Sequence, residues 1–347
     1  HRQLTVRRRR QRQMCIRDST GTNGKSTTSQ LMYEVLLKQN FNVKLVGNIG
    51  NPILSVKDVK KKTIFVIEAS SYQLEYSKIF KSKYAVILNL SPDHIERHKT
   101  ISRYVKSKFK LLKNQFKGHV AFVKKGDPLI NKELRLNKFK SKINRVNTKK
   151  IDKFFDKVDN NYFLTETNKE NLSFIFEISQ NLKLNKNILI ETIQNFKGLK
   201  YRQQIIFKKN NLTIINDSKS TSFSSSVGLL KVNHNIYWLL GGIHKKGDKL
   251  NLSKKYFKRI KAFIYGKKTK FFTKELKGRI SYENSHSLRD ALKKIFTLIK
   301  KQKSTQRTII FSPSAASFDS FKNFEDRGSY FNKLIKKYLH ENQKINI

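Results

Sequence analysis

The chain has 347 residues, which is long enough for two domains that each bury a core of their own. Its 74 Lys and Arg against 25 Asp and Glu give a formal net charge of +49, but the lysines are spread along almost the whole chain and form no nucleic-acid-binding pattern. A single cysteine, Cys15, excludes an internal disulfide, and no apolar run reaches the roughly 18 residues of a membrane span. We therefore expect a solvated, lysine-rich surface without nucleic-acid or membrane partners, in a reducing, cytoplasmic compartment.

Residues 1–18 differ in composition from the rest, because they are rich in arginine whereas the remaining chain prefers lysine. No apolar h-region follows the basic residues, so a secretory signal is not predicted. Met14–Asp18 also lacks the Val/Ile pattern of the buried strand that usually leads into a phosphate-binding loop. We interpret residues 1–18 as foreign to the protein, an artefact of sequence assembly or expression. A basic nucleic-acid-binding arm is the alternative.

A possible phosphate-binding loop follows at Thr20–Thr28, with the sequence TGTNGKSTT. Its glycines allow a tight turn that brings backbone N–H groups against phosphates, Lys25 can reach the terminal phosphates, and the Ser26 hydroxyl can hold Mg²⁺. A helix is predicted over Ser26–Gln39, so the loop would lie at a helix N-terminus. The general motif expects glycine where this chain has Ser19. A glycine-rich turn that merely begins a helix is therefore the alternative interpretation.

Two continuous apolar runs, Thr63–Ala69 and Tyr84–Leu90, predict strands that are covered on both faces, as in a parallel sheet. The first ends at Glu68 and the second leads into Ser91-Pro92-Asp93-His94, so polar clusters follow both strands at the edge where α/β sheets bind ligands. The other predicted elements of this half are strands at Asn42–Val46 and His119–Val123 and helices at Ile101–Phe116, Asn171–Asn181 and Lys186–Phe196.

The α/β rhythm resumes after a predicted hinge at Gly198–Arg202. The elements predicted there are strands at Leu212–Ile215, Ile236–Leu240, Ala262–Tyr265 and Thr308–Phe311 and helices at Ser222–Lys231, Ser287–Lys300 and Glu325–Leu339. Strands that alternate with helices imply a parallel, doubly wound sheet. We predict two α/β domains: a P-loop-type ATPase domain with a mostly parallel sheet at 19–199, and a Rossmann-like domain at 200–347.

Five clusters together resemble one family, the Mur ligases. They are TGTNGKSTT (20–28), GNIGNP (47–52) followed by EASSYQLE (68–75), LNLSPDHIERH (88–98), INDSKSTS (215–222) and SPSAASFDSFKNFEDRG (312–328). The last cluster resembles the branch of the family that adds D-glutamate. The resemblance implies an ATP-dependent amide ligation, in which a substrate carboxylate is phosphorylated and an amine then attacks the acyl phosphate. Phosphoryl transfer of this kind needs positioning and charge neutralisation, hence cations and metal ligands.

The resemblance assigns nucleotide contacts to both domains. In the loop they are Gly21, Thr22, Asn23, Gly24, Lys25, Ser26 and Thr27. Outside the loop, Asn48 resembles a residue near the γ-phosphate, while Asn168 and Asn171 resemble the adenine-side asparagines, although Thr167 replaces the usual histidine. Arg202 resembles an arginine that reaches the nucleotide from the second domain, and Asp217 resembles a carboxylate on the ribose side.

Two Mg²⁺ sites are also implied by the resemblance. Ser26 and Glu68 would hold one ion, and His94 would contact the second. Lys108 matches a lysine that is carbamylated in the family, which converts an ammonium into a metal-binding carboxylate; a solvated basic helix face is the alternative, because Lys106 and Lys110 are its neighbours. Lys25, His94 and Lys108 are thus the expected catalytic residues.

The implied substrates are UDP-N-acetylmuramoyl-L-alanine and D-glutamate, bound by a monomer. The residues that resemble the family's substrate contacts are Lys219, Thr221, Lys245, Ser317, Phe318 and Phe324. Lysines and a hydroxyl suit an anionic amino acid, and Lys246 competes with Lys245 for the same role. The family also carries a UDP-binding domain ahead of the loop. Residues 1–18 do not correspond to it, so we expect the chain as written to bind ATP weakly and to ligate D-glutamate hardly at all.

Two other interpretations remain open at this point. Another amide ligase of the superfamily, such as a folylpolyglutamate synthase or a different Mur ligase, would release phosphate from ATP with a different amino acid. A basic P-loop protein that binds nucleic acid would show steeply salt-dependent binding and lysines clustered on one face.

Overall fold

The computed structural model describes residues 15–77, 81–148, 158–209, 211–245, 247–301 and 306–343. Most of the segment 1–18 and Lys246, the competitor of Lys245, lie outside these residues. The chain divides into two compact units, residues 1–196 and 197–347, and each is described by itself.

A six-stranded parallel sheet forms the centre of the first unit, in the order β2-β3-β1-β4-β5-β6. Its strands are β1 (Cys15–Thr20), β2 (Val43–Gly47), β3 (Ile64–Glu68), β4 (Tyr84–Ile87), β5 (Val120–Lys124) and β6 (Lys142–Val146). Apolar side chains cover both faces: Val86 packs into one cluster, and its neighbours Ala85 and Ile87 pack into another on the opposite face. This two-sided burial explains why β3 and β4 read as continuous apolar runs.

Most helices of the first unit fill the crossovers between these parallel strands, and the last two follow β6. They are α1 (Lys25–Lys38), α2 (Ser71–Tyr76), α3 (Ile95–His98), α4 (Ile101–Lys113), α5 (Pro128–Leu136), α6 (Glu166–Asn181) and α7 (Lys186–Gln194). Leu31 and Val35 of α1 pack with Leu172 and Ile175 of α6 in one apolar cluster. On the other face, Val105 and Phe109 of α4 belong to the second cluster.

The expectation that no strand leads into the loop was wrong. Cys15–Thr20 is the strand β1, which pairs in parallel with β3 on one side and with β4 on the other. Ser19 and Thr20, at its end, are 4% and 0% exposed. Pairing on both sides is satisfied by backbone groups alone, so a central position does not require an apolar sequence pattern. The loop is therefore anchored at both of its ends, by β1 and by α1.

The second unit contains a mixed sheet, in the order β11-β10-β9-β12-β8-β7. Its strands are β7 (Gln204–Lys209), β8 (Leu212–Asn216), β9 (Ile236–Leu240), β10 (Ile260–Tyr265), β11 (Ser281–Ser285) and β12 (Arg307–Phe311). The prediction of a wholly parallel sheet is corrected at one edge, because β7 pairs antiparallel with β8. β7 and β11 are edge strands with few buried apolar residues, so they lacked the pattern that revealed the central strands.

The helices of the second unit lie between or after these strands. They are α8 (Phe223–Val232), α9 (Lys270–Leu276), α10 (Leu288–Lys301) and α11 (Phe324–Gln343). Alternate residues of β9 enter two apolar clusters: Trp238 packs into one, and Tyr237 and Leu239 pack into the other. None of the helices within the described ranges is long and apolar enough to cross a membrane.

Candidate functional site

The loop between β1 and α1 turns at Gly24, which stands at the N-cap of α1 with φ of 86°. This left-handed conformation strongly favours glycine. A Cβ atom at Gly24 would also lie 2.0 Å from Oδ1 of Asn171, so there is no room for a side chain. The loop backbone thus passes closely over α6 and presents the first N–H groups of α1 at the helix N-terminus, where anions bind favourably.

Lys25 lies at the first position of α1 and is half-buried. Its Nζ donates to the carbonyl oxygens of Gly21 at 3.0 Å and Thr22 at 2.9 Å. The ammonium group of Lys25 therefore lies against the loop backbone at Gly21 and Thr22.

Thr22 ties the loop to the segment after β4. Its Oγ1 donates to the carbonyl oxygen of Ser91 at 3.1 Å, lies 3.0 Å from the Ser91 N–H and is 2.9 Å from the hydroxyl of Tyr104. Tyr104 lies in α4 and is 1% exposed. The loop is therefore held against two neighbouring elements of the same sheet edge.

Lys108 lies one helical turn after Tyr104 and is 2% exposed. Its Nζ donates to the carbonyl oxygen of Gly21 at 2.8 Å and to Oγ1 of Thr20 at 3.2 Å. The two residues share the inner face of α4, as expected for an i, i+4 pair. The structure thus excludes the alternative of a solvated basic face for Lys108, whereas Lys106 is exposed.

The surroundings of Lys108 disfavour its charged form. Burial, followed by the nearby ammonium group of Lys25, lowers the pKa of Lys108 well below its ordinary value. The carboxylates of Asp93 and Glu68 act in the opposite direction but do not reverse the effect. This direction favours the neutral amine, which is the nucleophilic form of a lysine.

Glu68, the last residue of β3, is 2% exposed. Its Oε1 accepts a hydrogen bond of 2.7 Å from Nδ2 of Asn48, and the backbone N–H of Asn48 donates to its carbonyl oxygen at 2.9 Å. Its Oε2 is buried and has no hydrogen-bond partner among the described residues. Such an oxygen is costly unless a further group satisfies it.

His94 precedes the short helix α3, and His98 is its last residue. His94 caps it with φ of 53°, and its ring nitrogens lie 3.4 Å from Oδ2 of Asp93 and 3.6 Å from Oε1 of Glu96. His98, which sequence reasoning did not select, is buried with Nε2 3.0 Å from Oγ of Ser71. Burial lowers the pKa of His98, against an opposing effect of Glu75.

The two predicted adenine-side residues lie on α6, beneath the loop. Asn168 and Asn171 are 3% and 0% exposed. Nδ2 of Asn171 donates to Oδ1 of Asn168 at 3.4 Å, and Nδ2 of Asn168 donates to the carbonyl oxygen of Tyr162 at 2.7 Å. In this arrangement they support the loop from below.

In the second unit, Asp217 follows β8 and is 5% exposed. Its carboxylate accepts a hydrogen bond of 3.0 Å from the Gln203 N–H and one of 2.8 Å from the Ser312 hydroxyl. Burial raises the pKa of Asp217 to about 7, although these hydrogen bonds and the charges of Arg202 and Arg327 oppose the shift.

The remaining predicted residues of the second unit are spread over its loops. The ammonium group of Lys219 lies 3.9 Å from the centre of the Phe324 ring. Ser317 is 3% exposed and Phe318 is 73% exposed, so only the second faces solvent fully. The other three, which are half-buried or exposed, are Arg202, Thr221 and Lys245.

Residues that sequence reasoning missed supply most of the hydrogen bonds to the loop. They include Tyr104 and also Asn89, whose side chain contacts Asn23. A sequence signal existed for both: Tyr104 precedes Lys108 by one helical turn, and Asn89 lies in the LNLSPDH cluster after a predicted strand.

Comparisons with known proteins identify the family of the chain. Residues 20–191 match the family model of the Mur ligase middle domain. The chain is 32% identical to the UDP-N-acetylmuramoylalanine–D-glutamate ligase of Rickettsia felis over 93% of its own length and 75% of that protein. It is 35% identical to the ligase of the same name from Buchnera aphidicola, over 91% of this chain and 74% of that protein.

Solved structures show the same fold. MurF from Acinetobacter baumannii superposes with a TM-score of 0.71 at 15% identity, covering 95% of this chain and 78% of that one. MurF from Thermotoga maritima, solved in complex with ADP, gives a TM-score of 0.65 at 16% identity, covering 93% and 80%. The chain therefore belongs to the Mur ligase family, the ATP-dependent ligases of peptidoglycan precursor synthesis.

Proposed function

We propose that this chain belongs to the ligase that joins D-glutamate to UDP-N-acetylmuramoyl-L-alanine. The observation that carries the proposal is the buried amine of Lys108, which lies 2.8 Å from the Gly21 carbonyl oxygen in the phosphate loop. The carboxylate of Glu68 is near enough to act on the pKa of this amine. The D-glutamate specificity is supported by the names of relatives that are 32% and 35% identical. We further propose that the protein acts as a cytoplasmic monomer.

The reaction proceeds in two displacements. A carboxylate oxygen of UDP-N-acetylmuramoyl-L-alanine attacks the γ-phosphorus of ATP, and ADP leaves. The amine of D-glutamate then attacks the acyl carbon, phosphate leaves, and the nitrogen loses a proton. Lys25 neutralises the phosphates, and the N–H groups at the N-terminus of α1 hold them in place. Asn48 lies close to the reacting phosphoryl group in this proposal.

The residues present fit a Mg²⁺ ion. Glu68 offers a buried carboxylate oxygen without a hydrogen-bond partner among the described residues, and Ser26 offers a hydroxyl. Both are the hard oxygen ligands that this ion prefers. The described residues contain no group of three or more His, Cys, Asp or Glu that could hold a metal, so Glu68 and Ser26 would hold the ion together with other oxygen ligands. Bound Mg²⁺ supplies charge neutralisation for the transferred phosphoryl group.

A second metal position would use His94 and a carbamylated Lys108. Lys108 is suited to carbamylation, because its amine attacks CO₂ only when neutral and burial favours that form. The N–C bond forms, the nitrogen gives up a proton to water, and a carboxylate-like group results. This anion would lie beside Lys25, which lowers its cost in a buried site.

Further residues would recognise the nucleotide and the amino acid. On the adenine side these are Asn168 and Asn171, and on the ribose side Arg202 and Asp217. D-glutamate would be bound by charged, polar and aromatic groups of the second unit: Lys219, Thr221, Lys245, Ser317, Phe318 and Phe324. The lysines provide the positive charge that a dianionic amino acid requires.

The test measures phosphate release from ATP by the full-length protein that carries this chain. With UDP-N-acetylmuramoyl-L-alanine present, we expect release to depend on D-glutamate and not on L-glutamate, L-lysine or meso-diaminopimelate. Lys25→Ala should abolish turnover without changing the melting temperature by more than a few degrees, because a loop lysine contributes little to stability. Dependence on another amino acid would replace this proposal with a different ligase, and full turnover in Lys25→Ala would remove the nucleotide site.

A further inference from the structure

Asn89, just after β4, contacts the phosphate loop through three hydrogen bonds. Its Oδ1 accepts from the N–H of Asn23 at 2.9 Å, and its Nδ2 donates to the carbonyl oxygen of Asn23 at 3.2 Å. Its own carbonyl oxygen accepts from the N–H of Thr22 at 2.9 Å. The side chain of Asn89 thus forms hydrogen bonds with the backbone N–H and the backbone carbonyl oxygen of Asn23, while its own carbonyl oxygen binds the N–H of Thr22.

Glu170 fixes the orientation of the Asn89 amide. Nδ2 of Asn89 also donates to Oε1 of Glu170 at 2.9 Å, and Oε2 of Glu170 pairs with Nζ of Lys124 at 2.5 Å. A carboxylate accepts hydrogen bonds but cannot donate one, so it selects the amide rotamer whose nitrogen faces Glu170. Oδ1 is thereby left for the loop N–H. Glu170 is 8% exposed, so water competes little with these contacts.

These contacts join three elements to the loop: the end of β4 through Asn89, α6 through Glu170, and the end of β5 through Lys124. α6 also carries Asn171, which contacts Gly24 from below. A movement of α6 would therefore act on the loop at two points, at Asn23 through Asn89 and at Gly24 directly.

We propose that Asn89 is a positioning residue for nucleotide binding, which fixes the phosphate loop at Asn23, and that Glu170 and Lys124 set the direction of its amide. Asn89 touches neither nucleotide nor substrate in this role. It keeps the loop in the shape in which the N–H groups of the following residues converge on phosphate, so that nucleotide binding does not have to order the loop. The inference rests on the proposed function only in that the loop binds nucleotide phosphates.

The experiment compares Asn89→Asp with the double variant Asn89→Asp/Glu170→Gln in the 347-residue chain. Asn89→Asp keeps the size and the acceptor but removes the donor, and it places two carboxylates side by side. We expect the Kd for ADP to rise about tenfold and the amides of residues 21–24 to exchange with deuterium about tenfold faster in the nucleotide-free protein. In the double variant the amide introduced by Glu170→Gln again supplies a donor. The Kd should then fall at least threefold from that of the single variant, which is roughly half of the lost binding free energy.

The matched control is Asn131→Asp. Asn131 lies in α5 of the same unit and accepts a hydrogen bond from Arg145 at 3.2 Å, far in sequence from the loop. It should leave both the Kd and the exchange of the loop unchanged. Unchanged loop exchange in Asn89→Asp, or a double variant no better than the single one, would overturn the proposal. If exchange rises and is rescued while the unsubstituted chain binds no ADP, the positioning of the loop stands and the proposed nucleotide function fails.

Discussion

The buried carboxylates at the carboxyl ends of strands in the two sheets differ in their hydrogen-bond partners. In the first unit, Lys108 and Glu68 lie buried at the phosphate loop, and Glu68 keeps one carboxylate oxygen without a hydrogen-bond partner among the described residues. In the second unit, both carboxylate oxygens of Asp217 accept hydrogen bonds from within the unit. Ser312 donates one of them, and its Oγ lies 2.6 Å from Oγ of Ser226. The Glu68 carboxylate thus has an oxygen that no described residue satisfies, whereas both oxygens of the Asp217 carboxylate are satisfied within their own unit.

Arg327 also binds two loops of the second unit together. Its guanidinium group is 1% exposed and donates to the backbone oxygens of Ser218 and Ala315 at 2.7 and 3.0 Å, and to Oγ of Ser218 at 3.1 Å. These bonds join the loop after β8 to the loop after β12. Substitutions should therefore affect activity first in the first unit and stability first in the second.

The largest effect is expected at Lys108. Lys108→Ala should lower ligation more than about 100-fold in the full-length protein, because the proposed function places this buried side chain at the transferred phosphoryl group. If Lys108 is carbamylated as proposed, added acetate or formate should restore part of the activity by replacing the carbamate. Lys106→Ala, an exposed neighbour in the same helix, should retain full activity. An active Lys108→Ala protein would place this lysine outside the reaction.

The stability readout for the same site uses Lys108→Met, which keeps the apolar stem and avoids a cavity. Its free energy of unfolding should differ from the parent value by less than about 2 kcal/mol, since a buried amine contributes little net stability. A much larger loss of unfolding free energy, measured by urea denaturation, would show that Lys108 is needed for the stability of the fold.

Gly24 should show an intermediate effect. Gly24→Ala places a Cβ 2.0 Å from Oδ1 of Asn171 at a positive φ of 86°, so about 2–4 kcal/mol of stability should be lost. The double variant Gly24→Ala/Asn171→Ala should recover the steric part and keep the backbone strain. Urea denaturation of the two single variants and the double one measures the coupling. Additive losses would mean that the two residues do not touch.

At neutral pH the smallest effect is expected at Asp217, and it grows as the pH falls. Burial raises the pKa of Asp217 to about 7, so the folded protein keeps a proton that the unfolded chain, with a carboxyl pKa near 3.8, releases. This stabilisation is complete below pH 3.8 and is lost as the pH rises towards 7. Relative to Asp217→Asn, the free energy of unfolding should fall by at most about 4 kcal/mol across that interval and stay constant above it. A difference that does not change with pH would show that folding does not raise the pKa of the Asp217 carboxyl group.

The sequence predicted most of the central strands well, but not the central strand β1 or the edge strand β7. The apolar run Ile236–Leu240 became β9 with the same bounds, and Thr63–Ala69 contains β3 (Ile64–Glu68). β1 and β7 were missed, because backbone pairing and edge positions leave no apolar signal in the sequence.

The site was predicted in part for a similar reason. Lys25, Glu68 and Lys108 follow from motifs that resemble a family, and the structure brings them to one sheet edge. The hydrogen bonds from Asn89 and Tyr104 to the loop join residues 66 and 82 positions apart. Such contacts depend on the order of strands in the sheet, which local periodicity does not encode.

The central position of β1 also determines when the first sheet can form during synthesis. β1 pairs with β3 and β4, which both come later in the chain. During synthesis it leaves the ribosome before either neighbour exists, and long-range parallel pairing is slow. An extended, unpaired strand in a half-made protein is a point of association between chains. A net charge of +49 makes such chains repel one another, so the lysine surplus opposes aggregation in the interval before the sheet is complete.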